Sequence, residues 1–180
     1  MAASVRQVPP FASFDQWAVA SDGRIAVVSV EPYRVTFFDT LGRRTIGPIL
    51  NVTRIAVDDA LKQRWREEKK QPVPVLVFSG GRTTAQSRPP RYDEPAEWPD
   101  DLPAFLPGAV LFAPDGMLWV NRAVAAESPA MLDVIDRQGK VAYRVALPTQ
   151  SRLVGFGSSS VYLVRIDEDD LQYLQRYRLP

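Results

Sequence analysis

The sequence predicts an all-β chain of four-stranded antiparallel meanders, interrupted once by a helix and a proline-rich stretch. Three observations carry this. Short apolar runs alternate with Asp-Gly and Asp-x-x-Gly turns, the punctuation of hairpins. The phrase ASDGRIAVV at residues 20–28 returns as APDGMLWV at 113–120. Residues 51–107 follow neither copy.

The second copy is the clearer. Residues 109–113 form an apolar run, and Pro114-Asp115-Gly116 makes a turn in which Pro presets φ and Gly accepts a positive one. Residues 117–120 answer as the second strand. Residues 131–136 make a third, Arg137-Gln138-Gly139 turns, and 140–147 make a fourth. In the first copy, residues 17–20, Asp22-Gly23 and 25–30 repeat the first hairpin. Residues 35–39, Leu41-Gly42 and 44–49 repeat the second. Gly23 and Gly116 lie 93 residues apart, and Gly42 and Gly139 lie 97 apart. The spacing drifts in a loop while the strand pattern holds, as in repeats of one structural unit. A degenerate third copy follows. Residues 153–157 and 161–164 lie 44 beyond the second copy, residues 173–177 lie 42 beyond it, and no fourth strand remains. The expected domains are therefore an N-terminal strand at 1–13, a meander at 14–50, an insertion at 51–107, a meander at 108–148 and an incomplete one at 149–180.

Inside the insertion, residues 57–70 read as a helix. Asp58 and Asp59 stand near its start and Lys69 and Lys70 at its end, each suiting the helix dipole. Leu61 and Trp65 form its one apolar i,i+4 pair, a narrow stripe for packing on a meander. Residues 73–78 suggest a strand that contains Pro74. Residues 80–107 read as irregular: Pro72, Pro74, Pro89, Pro90, Pro95, Pro99, Pro103 and Pro107 make up eight of the 16 prolines, which excludes a central sheet. Trp98, Leu102 and Phe105 are the residues expected to pin this stretch down.

Composition removes several functions. The 180 residues hold no cysteine and no histidine, so disulfides, thiolate nucleophiles, Cys/His zinc sites and His-based triads are excluded. The net charge of +1, with basic and acidic residues interleaved, is no footprint for nucleic acid. No apolar stretch approaches the roughly 20 residues of a membrane span, and the start MAASVRQVPPF lacks the apolar region of a secretory signal. SGGRTT at 79–84 lacks the Gly-Lys-Ser/Thr ending of a phosphate loop and reads as a hairpin or loop. DEDD at 167–170 lacks the glycine and glutamate spacing of a calcium-binding EF-hand and reads as a solvated loop.

Four-stranded units of about 40 residues are the blades of β-propellers, with a β-sandwich of hairpins as the competing reading. The phrase "apolar-Pro-Asp-Gly-apolar … apolar-Asp-x-x-Gly-apolar" over residues 14–50 and 108–180 resembles six-bladed β-propellers of the NHL and TolB-like kind. Trp17, Phe37, Phe112, Trp119, Tyr162 and Tyr177 recur at equivalent strand positions and read as inter-blade core, not as stacking platforms for bases. The resemblance implies a ligand in the central channel or on the face of the loops joining second and third strands, which carry Glu31, Arg34, Asn121, Arg122, Glu127, Arg165 and Asp167. The function it implies is a non-catalytic binding or scaffold module for a protein or small-molecule ligand, without cofactor, nucleic acid or membrane. The alternative is a metal-dependent hydrolase of the lactonase sort, with calcium or zinc held near Glu31 and Asn121. It further implies an extracytoplasmic place if the chain belongs to a longer exported propeller. Three blades cannot close a ring. Either further N-terminal blades complete it, or two chains do, with residues 2–8 of one supplying the missing strand of the other.

Overall fold

The apolar runs become strands because their alternate residues find a covered face. In the computed structural model, residues 9–70, 73–79, 82–88 and 94–179 are described. The chain divides into two units, one from Phe11–Ile55 with Asp101–Pro180, the other from Met1–Pro10 with Ala56–Asp100.

The larger unit holds three antiparallel sheets. The first is β1 (Gln16–Val19), β2 (Ile25–Ser29), β3 (Arg34–Phe38) and β4 (Arg44–Ile46), paired in chain order. The second is β7 (Phe105–Phe112), β8 (Leu118–Arg122), β9 (Met131–Ile135) and β10 (Val141–Ala146), also in chain order. The third has only β11 (Ser151–Phe156), β12 (Ser160–Ile166) and β13 (Gln172–Arg178). The all-β class and the meander order are as the sequence indicates.

The turns explain the echo in the sequence. Ala20 N–H donates to Arg24 O at 2.8 Å, and Ala113 N–H donates to Met117 O at 2.9 Å. Gly23 and Gly116 close the two turns with φ of +83° and +82°, a region open to glycine and costly for a residue with a Cβ. The Asp-x-x-Gly turns are built alike. Asp39 Oδ1 accepts from the N–H groups of Leu41 and Arg43, and Asp136 Oδ1 accepts from those of Gln138 and Lys140. DEDD forms the same turn: Asp167 Oδ1 accepts from Asp169 and Leu171 N–H, and Asp170 takes glycine's place at φ +60°. An aspartate tolerates that region better than most residues.

Strand alternation sends each face of the middle sheet to a different neighbour. Leu118, Val120 and Ile135 pack on Ala26, Val28, Val35 and Phe37 of the first sheet. Trp119, Leu132 and Val134 pack on Val161 and Leu163 of the third. Phe37 meets Phe112 at 6.3 Å between ring centroids, and Arg24 lies over both rings. Trp119 meets Phe156 edge-on at 5.2 Å. Glycine permits one close approach: a Cβ on Gly139, in the β9–β10 turn, would lie 2.7 Å from the Gly47 Cα just past β4.

Four expectations need correction. The third copy is not offset by 44 throughout. Phe112 pairs with Leu118 but Phe156 pairs with Val161, so the turn is one residue shorter and the offset falls to 43. A one-residue slip exchanges the faces of a strand, so Leu163, not Tyr162, points at the middle sheet. Trp17 and Tyr177 are not core. Trp17 is 69% exposed because, among the described residues, no other sheet of the larger unit packs on the outer face of the first, and Tyr177 is exposed on the last strand. The strand leading into the second meander starts at Phe105, inside the expected insertion, because a bulge between Phe105 and Val110 absorbs Pro107 and Gly108. Residues 80–107 are not wholly irregular either, as the smaller unit shows.

In the smaller unit, α1 (Asp59–Lys70) starts two residues later than expected. Val57 N–H is drawn away to Asp100 O, and Asp58 caps the helix by accepting Leu61 N–H at 2.8 Å. Leu61 is buried, while Trp65 meets Trp98 edge-on at 5.2 Å. Leu102 and Phe105 are buried in the larger unit. β5 (Val73–Ser79) pairs in full with β6 (Arg82–Arg88), which the proline count hid. A two-stranded hairpin has two open edges, so Pro74 removes no central ladder bond. Within SGGRTT, Ser79 pairs with Arg82, and Gly80-Gly81 lie outside the described residues, as do residues 2–8. No helix among the described residues is long and apolar enough to cross a membrane.

Candidate functional site

The loops joining second and third strands place the seven candidate residues at one end of their respective sheets. Glu31 and Pro32, joined by a cis peptide bond, form the β2–β3 turn, and Glu31 is exposed. Arg34 opens β3 on the uncovered face of the first sheet, because Val35 and Phe37 alternate to the covered one. Its Nε is nevertheless shielded from water and has no hydrogen-bond partner. Asn121 and Arg122 end β8. Asn121 shares the face of Trp119, toward the third sheet, and its Oδ1 is buried without a partner. The Trp119 Nε1–H, two residues earlier on that face, is also buried and unpartnered. Glu127 is exposed in the β8–β9 loop. In the third sheet Arg165 lies over the Tyr173 ring at 5.7 Å, and the Asp167 carboxylate caps its own turn. The Leu171 N–H holds that carboxyl below its ordinary value against the opposing effect of burial, helped by the Tyr173 side chain, the Asp169 N–H and Arg165.

Sequence reasoning missed the polar cluster nearest these loops. Asp133 sits mid-strand in MLDVI with no solvent exposure. Leu132 and Val134 take one face of β9, so Asp133 points at the first sheet. There the Tyr33 hydroxyl donates to Oδ2 at 3.2 Å, Arg122 Nη1 donates to Oδ2 at 3.2 Å, and Arg144 Nε donates to Oδ1 at 2.9 Å. Arg122 also donates through Nε to Ala104 O and lies over the Tyr33 ring. Burial, then the charge of Asp133, raises the Tyr33 phenol far above its usual range, so it is a fixed donor. The signal was an acid at an alternating position of an otherwise apolar strand. Such an acid needs cationic partners, because an unpaired buried charge is costly.

These groups have different capacities. Asp133 accepts from Tyr33, Arg122 and Arg144, and Arg122 is committed to it at 12% side-chain exposure. The cluster is a clasp between the first and second sheets. No hydrogen bond or ion pair joins any two of the seven loop residues among the described ones. No three His, Cys, Asp or Glu side chains among the described residues converge to hold a metal ion. Four side-chain polar atoms among the described residues are shielded from water and left without partners: Ser13 Oγ, Arg34 Nε, Trp119 Nε1 and Asn121 Oδ1. No protein-family model, curated protein or solved structure matches the chain.

Proposed function

We propose that the chain is a non-catalytic binding module, its three stacked meanders being β-propeller blades of the NHL and TolB-like kind. It takes a polar ligand at the loop end of the seam between its second and third sheets. The Asn121 carboxamide oxygen carries this reading. A buried acceptor left unbonded costs about 1–3 kcal/mol, and proteins keep few of them without a use. Asn121 stands on the same face as the unbonded Trp119 indole N–H, so one small molecule offering a donor and an acceptor answers both. The blade reading is supported by equivalent strand faces packing in the same sense twice, first sheet on second and second on third.

The test is a thermal-shift screen of polar metabolites, short peptides and divalent cations against the wild type and Asn121→Leu. Binding at 100 times Kd adds about 2.7 kcal/mol, several degrees for a domain of this size. A compound that raises the wild-type melting temperature and leaves the variant's unmoved is the expected result. A ligand whose shift survives Asn121→Leu places the site elsewhere. A shift given by calcium or zinc alone and abolished by Glu31→Gln supports the hydrolase reading instead.

A further inference from the structure

The two end faces of the sheet stack are not equivalent, and this decides what can cover them. The first sheet turns Ala26, Val35 and Phe37 toward the second. The second turns Trp119, Leu132 and Val134, the matching positions of its own repeat, toward the third. Each sheet thus presents the same forward face to the backward face of the next. The backward face of the second sheet, Leu118, Val120 and Ile135, has no solvent exposure. Its counterparts on the first sheet are Ile25, Val27 and Phe38, and among the described residues no other sheet of the larger unit packs on them: Val27 and Phe38 are half-buried, and Ile25 is 39% exposed, with Val19 at 53% and Trp17 at 69% beside it. Register puts Trp17 opposite Val27, and Val19 and Phe38 each opposite Ile25, so these side chains form one apolar sheet face. A contiguous apolar face of this kind marks an interaction surface. The unpartnered Arg34 Nε lies on the same face. At the other end, no other described sheet of the larger unit packs on the forward face of the third, which carries half-buried Tyr162 and Val164 and exposed Leu174 and Arg176. Leu174 is 68% exposed.

We infer that the open backward face of the first sheet packs on the open forward face of the third sheet of a second copy. This rests on the blade reading above. A backward face and a forward face are complementary by the packing the chain already uses twice. A two-fold axis makes both contacts at once, closing three sheets and three sheets into a ring of six. Arginine on the forward face suits the joint, because the joint between the first and second sheets already seats Arg24 over Phe37 and Phe112. Arg176 has the aromatic Trp17 to meet across the new one.

The experiment is light scattering coupled to size exclusion on the full chain, with the variants Trp17→Glu and Leu174→Asp. Both residues are exposed in the single chain, so circular dichroism of each variant should match the wild type. The wild type is expected at twice the 20.1 kDa chain mass, and each variant at the chain mass. Mixing the two variants should restore part of the dimer, because one of its two joints is then free of substitutions. A wild-type monomer, an open-ended polymer, or a dimer untouched by either substitution overturns the inference. A monomer that still shows the Asn121-dependent thermal shift overturns the second copy alone and leaves the binding site standing.

Discussion

Asp133 shows what one residue holds. Its carboxylate takes hydrogen bonds from Tyr33, Arg122 and Arg144 with no access to solvent. Removing one partner of such a buried set leaves the others uncompensated and typically costs about 3–5 kcal/mol. Asp133→Ala should therefore lower the urea midpoint by that equivalent. Tyr33→Phe should cost less, about 1.5–3 kcal/mol for a hydrogen bond to a charged group. Asp133→Ala within 1 kcal/mol of the wild type would remove the clasp from the structure. The turn acids set the pH dependence. Hydrogen bonds to Arg24 hold Asp22 below the carboxylate value of 3.8, those to Arg43 hold Asp39 below it, and the Leu171 N–H holds Asp167 below it. A depressed folded-state value means the stability is complete above 3.8 and is lost as pH falls through the folded value. Asp39→Asn should lose less stability than the wild type between about pH 5 and pH 2 in denaturant titrations. At this scale the sequence was legible for turns, whose chemistry is local. It was illegible for Asp133, whose partners lie up to 100 positions away.

The elements follow from turns and alternation, and their mistakes do too. β2, β3, β8 and β9 were readable because Asp-Gly and Asp-x-x-Gly turns bound apolar runs on both sides. β6, RTTAQSR, carries no apolar alternation and is fixed by β5 across the hairpin, so only the turn, in SGGRTT, was readable from the residues. Trp17 was misplaced because periodicity names a face without saying whether a sheet lies on it. Two glycines separate backbone conformation from close packing. Gly42 has a φ of +76° with open space around a Cβ, so Gly42→Ala should cost about 1–2 kcal/mol from conformation alone. Gly139 has nearly the same φ of +79°, but its Cβ would overlap Gly47. Overpacking adds about 1–3 kcal/mol, so Gly139→Ala should unfold at clearly lower urea than Gly42→Ala. Equal midpoints for the two would mean that the β9–β10 turn does not touch the residue after β4.

At the scale of the molecule, the all-β class and the three meanders were legible because the repeat is written in the strands themselves. The candidate site was legible only in part. The loops were found by topology, but the unbonded Trp119 indole and the Asp133 clasp depend on which sheet faces which. The insertion leaves and returns at one place, since Leu102 N–H donates to Ile55 O at 2.8 Å. Replacing residues 56–100 with a short turn should keep the larger unit folded, with one cooperative thermal transition. Loss of that transition would make the smaller unit part of the core. The central claim is that the second sheet is covered on both faces, by the first through one core and by the third through another. Native-state hydrogen exchange measures this most directly, because amides that open only with global unfolding report where burial is greatest. The amides of β8 and β9 should exchange slowest in the chain, and those of β13, an edge of its sheet among the described residues, fastest among the strands of the larger unit. If β8 and β9 exchange as fast as β13, the stacked arrangement of the three sheets is wrong.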